Sequence, residues 1–298
     1  MKATLSPLIA LLATGLLLKA TVALAGLPQH DPVPGGVVVV ELGEVDQEAA
    51  DQERPEVRYR DRDALVVREG EQWVALLGVP LSAETGERRF TVRHADGSEE
   101  THSFEVGTRD YGESRITIDD ERMVTPDEED LERIAEDRKE INAAIAYRSD
   151  RNPTPLSFEL PIRDVETSAF GMQRYINDQR RNPHSGLDIR GAEGTPIHAP
   201  APGEVIETGD YYFNGKTVFL DHGQGLISMF AHMSEISVAV GDSLETGDLV
   251  GKAGATGRVT GPHLHWTVAL NGVIVNPRLF VADESPLDAD EEEAAAEE

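Results

Sequence analysis

Six of the nine histidines fall between residues 184 and 265, and three short arrangements among them have the spacing that a metal site requires. His184 and Asp188 form the first. Pro183 ahead of them, Gly186 between them and the alternation of Leu187 with Ile189 predict an extended segment. In such a segment residues 184, 186 and 188 share one face, so imidazole and carboxylate project together while Leu187 and Ile189 enter the core; a spacing of four would also serve on a helix. His263-Leu264-His265-Trp266 is the second arrangement, and a period of two puts both imidazoles on one face with Leu264 and Trp266 on the other. If one of these histidines joins His184 and Asp188, the set is two imidazoles and one carboxylate. The fourth tetrahedral position is then left for water, which is the open geometry of catalytic zinc. The remaining histidine lies near that water. His232, closing Phe230-Ala231-His232, is either a further unligated imidazole or a hydrogen-bonded core histidine. The chain has no cysteine, so any metal must be held by histidine and carboxylate, and no disulfide is available.

Taken in order, His184-x-x-x-Asp188, Phe230-Ala-His232 and His263-x-His265 resemble the motif set of the M23 (LytM/lysostaphin-like) zinc metallopeptidases. Phe170-Gly171, Gly194-Thr-Pro-Ile, Pro202-Gly-Glu-Val, Asp221-His-Gly, Val240-Gly-Asp and the run from Ala255 to His265 are similar to the same family. The resemblance implies a Zn2+ cofactor ligated by His184, Asp188 and His265, with His232 and His263 as an unligated catalytic pair. It implies an endopeptidase that hydrolyses peptide cross-links of bacterial peptidoglycan, with peptidoglycan peptide stems as its partners. A tyrosine that assists the oxyanion is expected at Tyr211 or Tyr212. His198 and His222 are assigned to local hydrogen bonding. Thr267 departs from the glutamate that many relatives carry after the His-x-His-aromatic motif, which puts a contact behind the ligands in question. Two other readings compete: a non-catalytic LytM-like module that activates cell-wall amidases, and a secreted bacteriolytic or elastase-like peptidase. Retention of all five residues argues against the first.

The elements that must position these residues read as mainly β. A β-sandwich-like accessory domain is expected over 26–110, with strands at Gly36 to Leu42, Ala64 to Arg68 and Trp73 to Gly78, and a hairpin about Asp96-Gly97. It carries no catalytic cluster and reads as a spacer or targeting domain. A helical connector and linker follows over 111–155. Thr125-Pro126-Asp127-Glu128 predicts the helix start, with Thr125 as cap, and Leu131, Ile134, Ile141 and Ile145 recur on one face. Residues 156–280 form the expected catalytic domain, a LytM-like β-sheet/barrel-sandwich. Strands are predicted at Leu156 to Ile162, Gly194 to Ala199, Gly203 to Thr208, Lys216 to Asp221, Leu226 to His232 and His263 to Leu270, separated by glycine turns. This accessory domain or the acidic helix could cover the cleft.

Acidic residues number 55 against 27 basic ones, a field that repels nucleic acid and anionic lipid and excludes a nucleic-acid partner. The excess is uneven. Residues 156–280 carry 14 acidic and 9 basic side chains, whereas 281–298 carry nine acids and no base, as expected of an acidic disordered tail. Lys2, the apolar run from Leu8 to Leu18 and Ala23-Leu24-Ala25 read as a signal peptide over 1–25, cleaved after Ala25. No stable membrane span remains after that cleavage, and a periplasmic or secreted location is expected.

Overall fold

The computed structural model describes residues 26–44, 54–153, 155–163 and 168–282. The signal peptide expected over 1–25 and nearly all of the acidic tail lie outside the described residues.

Seven strands come first: β1 (Val37–Glu44), β2 (Glu56–Tyr59), β3 (Arg62–Asp63), β4 (Leu65–Glu69), β5 (Gln72–Gly78), β6 (Gly86–Arg93) and β7 (Glu99–Val106). They form two antiparallel sheets, ordered β1-β5-β4 and β3-β2-β6-β7. The expected hairpin about Asp96-Gly97 is β6/β7; Gly97 takes a φ of 83°, in the left-handed region where glycine carries no steric cost. The run Trp73-Val-Ala-Leu-Leu in β5 alternates between two cores. Trp73, Ala75 and Leu77 face the second sheet, while Val74 and Leu76, with Val37, Leu65 and Val67, pack into the core of the C-terminal half. A strand buried on both faces needs this continuous apolar composition. The expectation of a spacer therefore needs correcting: the first sheet is a packed layer of the C-terminal half, close enough that a Cβ on Gly78 would lie 2.9 Å from the Leu270 carbonyl oxygen.

The connector holds β8 (Glu113–Ile116), α1 (Glu121–Val124) and α2 (Glu128–Ile145). The cap of α2 is Asp127, which accepts from the Asp130 N–H, and not Thr125. Thr125 is already committed, its N–H closing α1 onto the Glu121 carbonyl at 2.7 Å. Ile134 and Ala144 are buried, and Ile141 and Ile145 pack with Ala144 against Phe219, Ile227 and Met229. Leu131 is instead 55% exposed.

The C-terminal half contains β9 (Gln173–Ile176), β10 (Gln179–Arg180), β11 (Leu187–Arg190), β12 (Pro196–His198), β13 (Gly203–Tyr211), β14 (Gly215–Gly223), β15 (Leu226–Ile236), β16 (Ser243–Leu244), β17 (Leu249–Ala253), β18 (His263–Leu270) and β19 (Val273–Val275). The main path of its sheet runs β11-β18-β15-β14-β13-β16, with β12, β17 and β19 attached to it. A separate sheet, β10-β9-β8, joins the connector to this half through a parallel β8/β9 pair. The strand expected over 156–162 does not form. Leu156, Phe158, Leu160 and Ile162 are buried at a period of two, but Pro155 and Pro161 withdraw backbone donors, and Phe158 makes only an isolated bridge to Val281.

Candidate metal centre

Strand register assembles the site. In the antiparallel β11/β18 pair Asp188 lies opposite His265, and in β15/β18 Ala231 also lies opposite His265, which brings His232 alongside. Leu187, Ile189, Leu264 and Trp266 point the other way and are fully buried, so a core of large side chains holds the polar face in place. His184 precedes β11 and reaches the same point. Its Nε2 is 2.9 Å from Asp188 Oδ1 and 3.2 Å from His265 Nδ1, and His265 Nδ1 is 2.7 Å from the same carboxylate oxygen. One ligand atom from each of these three residues lies within 4.8 Å of the others, so they could hold a metal ion.

Neighbouring groups fix which ring nitrogen faces inward. His184 Nδ1–H donates to the Ala169 carbonyl at 2.9 Å, which leaves the Nε2 lone pair for the centre. Thr267 donates its only hydroxyl proton to the Ser185 carbonyl at 3.0 Å, so its oxygen must accept from His265 Nε2–H at 3.1 Å, leaving Nδ1 as that ring's lone pair. Asp188 Oδ2 accepts from the Arg174 guanidinium at 2.6 Å. Burial alone would raise the Asp188 carboxyl, but the His184 and His265 rings that face it hold it well below the usual carboxylate range; without an ion between them, that contact requires a proton on the facing ring nitrogen. Burial lowers His265.

His232 and His263 stand on the open side, their ring centroids 5.0 Å apart. His232 Nδ1–H donates to the Thr256 carbonyl at 2.9 Å and His263 Nδ1–H to the Gly261 carbonyl at 2.8 Å, so Nε2 is the lone-pair nitrogen of each neutral ring. His263 Nε2 is 3.7 Å from Asp188 Oδ1. His232 sits at φ 63°, where the β14/β15 register shifts, so a bulge turns its side chain toward the site. A non-glycine residue in that region costs about 1 to 3 kcal/mol, which the surrounding sheet must offset. Burial, then the neighbouring His265 and His263, push His232 down to about 3, so it is neutral at ordinary pH.

All five residues singled out in the sequence thus meet in one place. Arg174 was not foreseen, because a lone arginine in an exposed-looking strand carries no spacing signal. Nor was β8, whose Ser114 and Ile116 line the same small cavity as His184, Asp188, His232 and His263. Thr267 fills the place behind the ligands that the absence of glutamate had put in question. The tyrosines are placed differently from expectation. Tyr211 is buried with its hydroxyl unpartnered, and the Tyr212 hydroxyl lies 2.9 Å from Asp130 Oδ2 and 3.0 Å from the Arg122 carbonyl oxygen, with one proton for the two. His222 bonds to Pro202 and Ser228 and His198 to Gly247, away from the centre.

An antiparallel sheet that carries a His/Asp/His cluster and two free imidazoles defines a metallohydrolase type of site. The chain belongs to peptidase family M23. The sequence model described as "Peptidase family M23" matches residues 182–277, and that described as "Peptidase family M23 N-terminal domain" matches residues 30–109. A Pseudomonas aeruginosa crystal structure assigned to peptidase M23 is 42% identical, with a TM-score of 0.69, over 85% of this chain and 96% of that one. The DD-carboxypeptidase/endopeptidase Mpg of Neisseria meningitidis is 36% identical over 111 residues, 37% of this chain and 26% of that protein. The peptidoglycan DD-endopeptidase ShyC of Vibrio cholerae is 39% identical over 95 residues, 32% of this chain and 22% of that protein. The match therefore spans about a quarter of the length of these curated relatives.

Proposed function

We propose that this chain is a zinc-dependent endopeptidase that hydrolyses peptide cross-links of bacterial peptidoglycan, in the cell envelope. The observation that carries the reading is the pairing of three converging ligand atoms, on His184, Asp188 and His265, with two imidazoles that offer free Nε2 atoms beside them. The relative named as the peptidoglycan DD-endopeptidase ShyC supports the substrate class.

The donor set fits zinc. Tetrahedral ligands at zinc distances stand roughly 3.3 Å apart, and the three separations here are 2.7, 2.9 and 3.2 Å. Two neutral imidazoles and one carboxylate would leave an open position. When bound, zinc supplies Lewis-acid activation of water and of the scissile carbonyl.

The chain's own residues do the rest. Arg174 holds the Asp188 carboxylate by its second oxygen, Ala169 orients His184, and Thr267 orients His265. Backbone carbonyls hold the Nδ1 protons of His232 and His263, so Nε2 is the atom that each ring turns to the site. Such a pair can divide the proton work: one imidazole accepts a proton from water, and the other hydrogen-bonds the developing oxyanion or passes a proton to the leaving amine. The low basicity of His232 keeps it uncharged until a proton is delivered.

The test is digestion of purified cross-linked peptidoglycan by protein beginning at Gly26, with products identified by mass. Cleaved cross-links, lost in His263→Ala and in His232→Ala while zinc content is kept, are expected. Intact cross-links with zinc bound would instead support the amidase-activating module.

A further inference from the structure

The short helix α1 lays three successive carbonyls on side chains of the C-terminal half, two of which, Arg181 and Arg258, border the groove. The Arg122 carbonyl oxygen is 3.0 Å from the Tyr212 hydroxyl, the Met123 carbonyl accepts from Arg258 Nη1 at 3.3 Å, and the Val124 carbonyl accepts from Arg181 Nη2 at 2.6 Å. Two guanidinium groups thus meet backbone carbonyls where a carboxylate would be the stronger partner. The chain's acidic excess makes this unusual, yet among the described residues neither Arg181 nor Arg258 makes an ion pair. Arg174, by contrast, is paired with Asp188.

Two further observations point to a ligand. Arg181 Nε is buried and has no hydrogen-bond partner, so the guanidinium is only partly satisfied: Nη2 serves Val124 and Gln179 while Nε serves nothing. The Arg258 guanidinium lies 4.0 Å from the Phe213 ring centroid, which fixes its plane and leaves its edge as the donating side. Burial, then the neighbouring Arg181 and Arg174, push Arg258 down to about 10. Both arginines line the same groove as His184, His232 and His265.

We propose that Arg181 and Arg258 form a subsite for a free carboxylate of the substrate peptide, and that the carbonyl end of α1 occupies it in this structure. This rests on the peptidase reading and deepens it. The preferred substrate is a stem peptide whose side-chain or terminal carboxylates are unmodified, and amidation of those groups weakens binding. Because α1 and the carboxylate compete, contacts that hold α1 down oppose substrate. The main one is the Arg122 guanidinium, which bonds Asp130 through Nε at 3.0 Å and Nη2 at 2.8 Å. No proton or bond changes hands here, so Arg181 and Arg258 are binding residues for specificity.

The experiment is calorimetric titration of the zinc-loaded chain from Gly26 with two synthetic stem tetrapeptides, one with free carboxylates and one with all of them amidated. Charge-assisted bonds from two guanidinium groups predict a preference of at least about tenfold for the free form. In Arg181→Gln and Arg258→Gln the preference falls to within about twofold of none, with zinc content and circular dichroism unchanged. In Asp130→Asn, which weakens the fork on Arg122, the free peptide binds more tightly and the preference is kept. Equal binding of the two peptides by wild type and Asp130→Asn, no binding by either, or a preference that survives in both arginine variants would overturn the subsite. Heat is read without turnover, so the two readings fail separately. A chain that shows the preference yet cuts no cross-link sinks the peptidase reading alone, and one that cuts without preference sinks the subsite alone.

Discussion

Replacing Thr267 by valine isolates one hydrogen-bond chain at the centre. Thr267 is 1% exposed and joins two groups that have no access to water through it: it donates to the Ser185 carbonyl at 3.0 Å and accepts from His265 Nε2–H at 3.1 Å. Valine matches the shape but supplies neither bond, so a buried N–H and a carbonyl are left unsatisfied. Each such group costs about 1 to 3 kcal/mol, so metal-free Thr267→Val should lose about 2 to 4 kcal/mol, allowing for partial relaxation. The ring of His265 also loses the contact that keeps its proton on Nε2, and removal of such a partner weakens metal binding by about 10- to 100-fold. Thr267→Ser keeps the hydroxyl and should restore most of the metal affinity while losing only a methyl group. Urea unfolding of metal-free protein and zinc competition against a coloured chelator measure the two quantities. A valine variant that binds zinc as tightly as wild type would refute the assignment of Nδ1 as the ligand atom of His265, whatever its stability.

Three further outcomes follow from other parts of the structure. Arg174→Gln removes the guanidinium on Asp188 Oδ2; zinc affinity should fall by about tenfold with the fold retained, read by the same competition assay. Leu76→Ala empties a fully buried position in the core shared by β5 and the C-terminal half, and should cost about 2 to 5 kcal/mol in a single cooperative unfolding transition. Two separated transitions would mean that the first sheet is a detachable spacer after all. His222 is pushed down to about 4, chiefly by burial. Its ordinary value is higher, so the unfolded chain binds the extra proton, and the His222 contribution is whole above about pH 6.5 and is lost as pH falls toward 4. That loss amounts to about 2 to 3 kcal/mol by pH 4.5. The stability gap between wild type and His222→Gln should therefore narrow by about that much between pH 7 and 4.5; a gap that does not change with pH would contradict the buried neutral imidazole.

The ligand face was legible because a strand has a fixed period of two. His263, His265 and Asp188 could be placed on one face, and Leu187, Leu264 and Trp266 on the other, from spacing alone, and β11 and β18 follow that alternation. The same period predicted a strand over 156–162 that does not exist, since burial can alternate without a ladder when prolines remove the donors. Residues that act across the fold were invisible. Arg174 reaches Asp188 from β9, and the carbonyls of α1 reach Arg181 and Arg258 across 57 and 135 residues of chain, with no local pattern to announce either. The β5 run Trp73 to Leu77 did carry a readable sign of its second interface, namely apolar residues at both parities, which a one-sided sandwich strand would not need. His232 shows the limit from the other side. Its motif pointed to the site, but the left-handed backbone that aims it depends on a bulge against β14, which belongs to the pairing and not to the local sequence.

Stepwise return of zinc to chelator-stripped protein tests the metal centre most directly, with bound zinc per chain and release of monomers from cross-linked muropeptide dimers measured on the same samples. Cleavage that is absent without metal, rises in proportion to zinc and levels off at one ion per chain is predicted, with neither binding nor cleavage in Asp188→Ala. Cleavage by the stripped chain, or full zinc binding by Asp188→Ala, would contradict the assignment of His184, Asp188 and His265 as the metal centre.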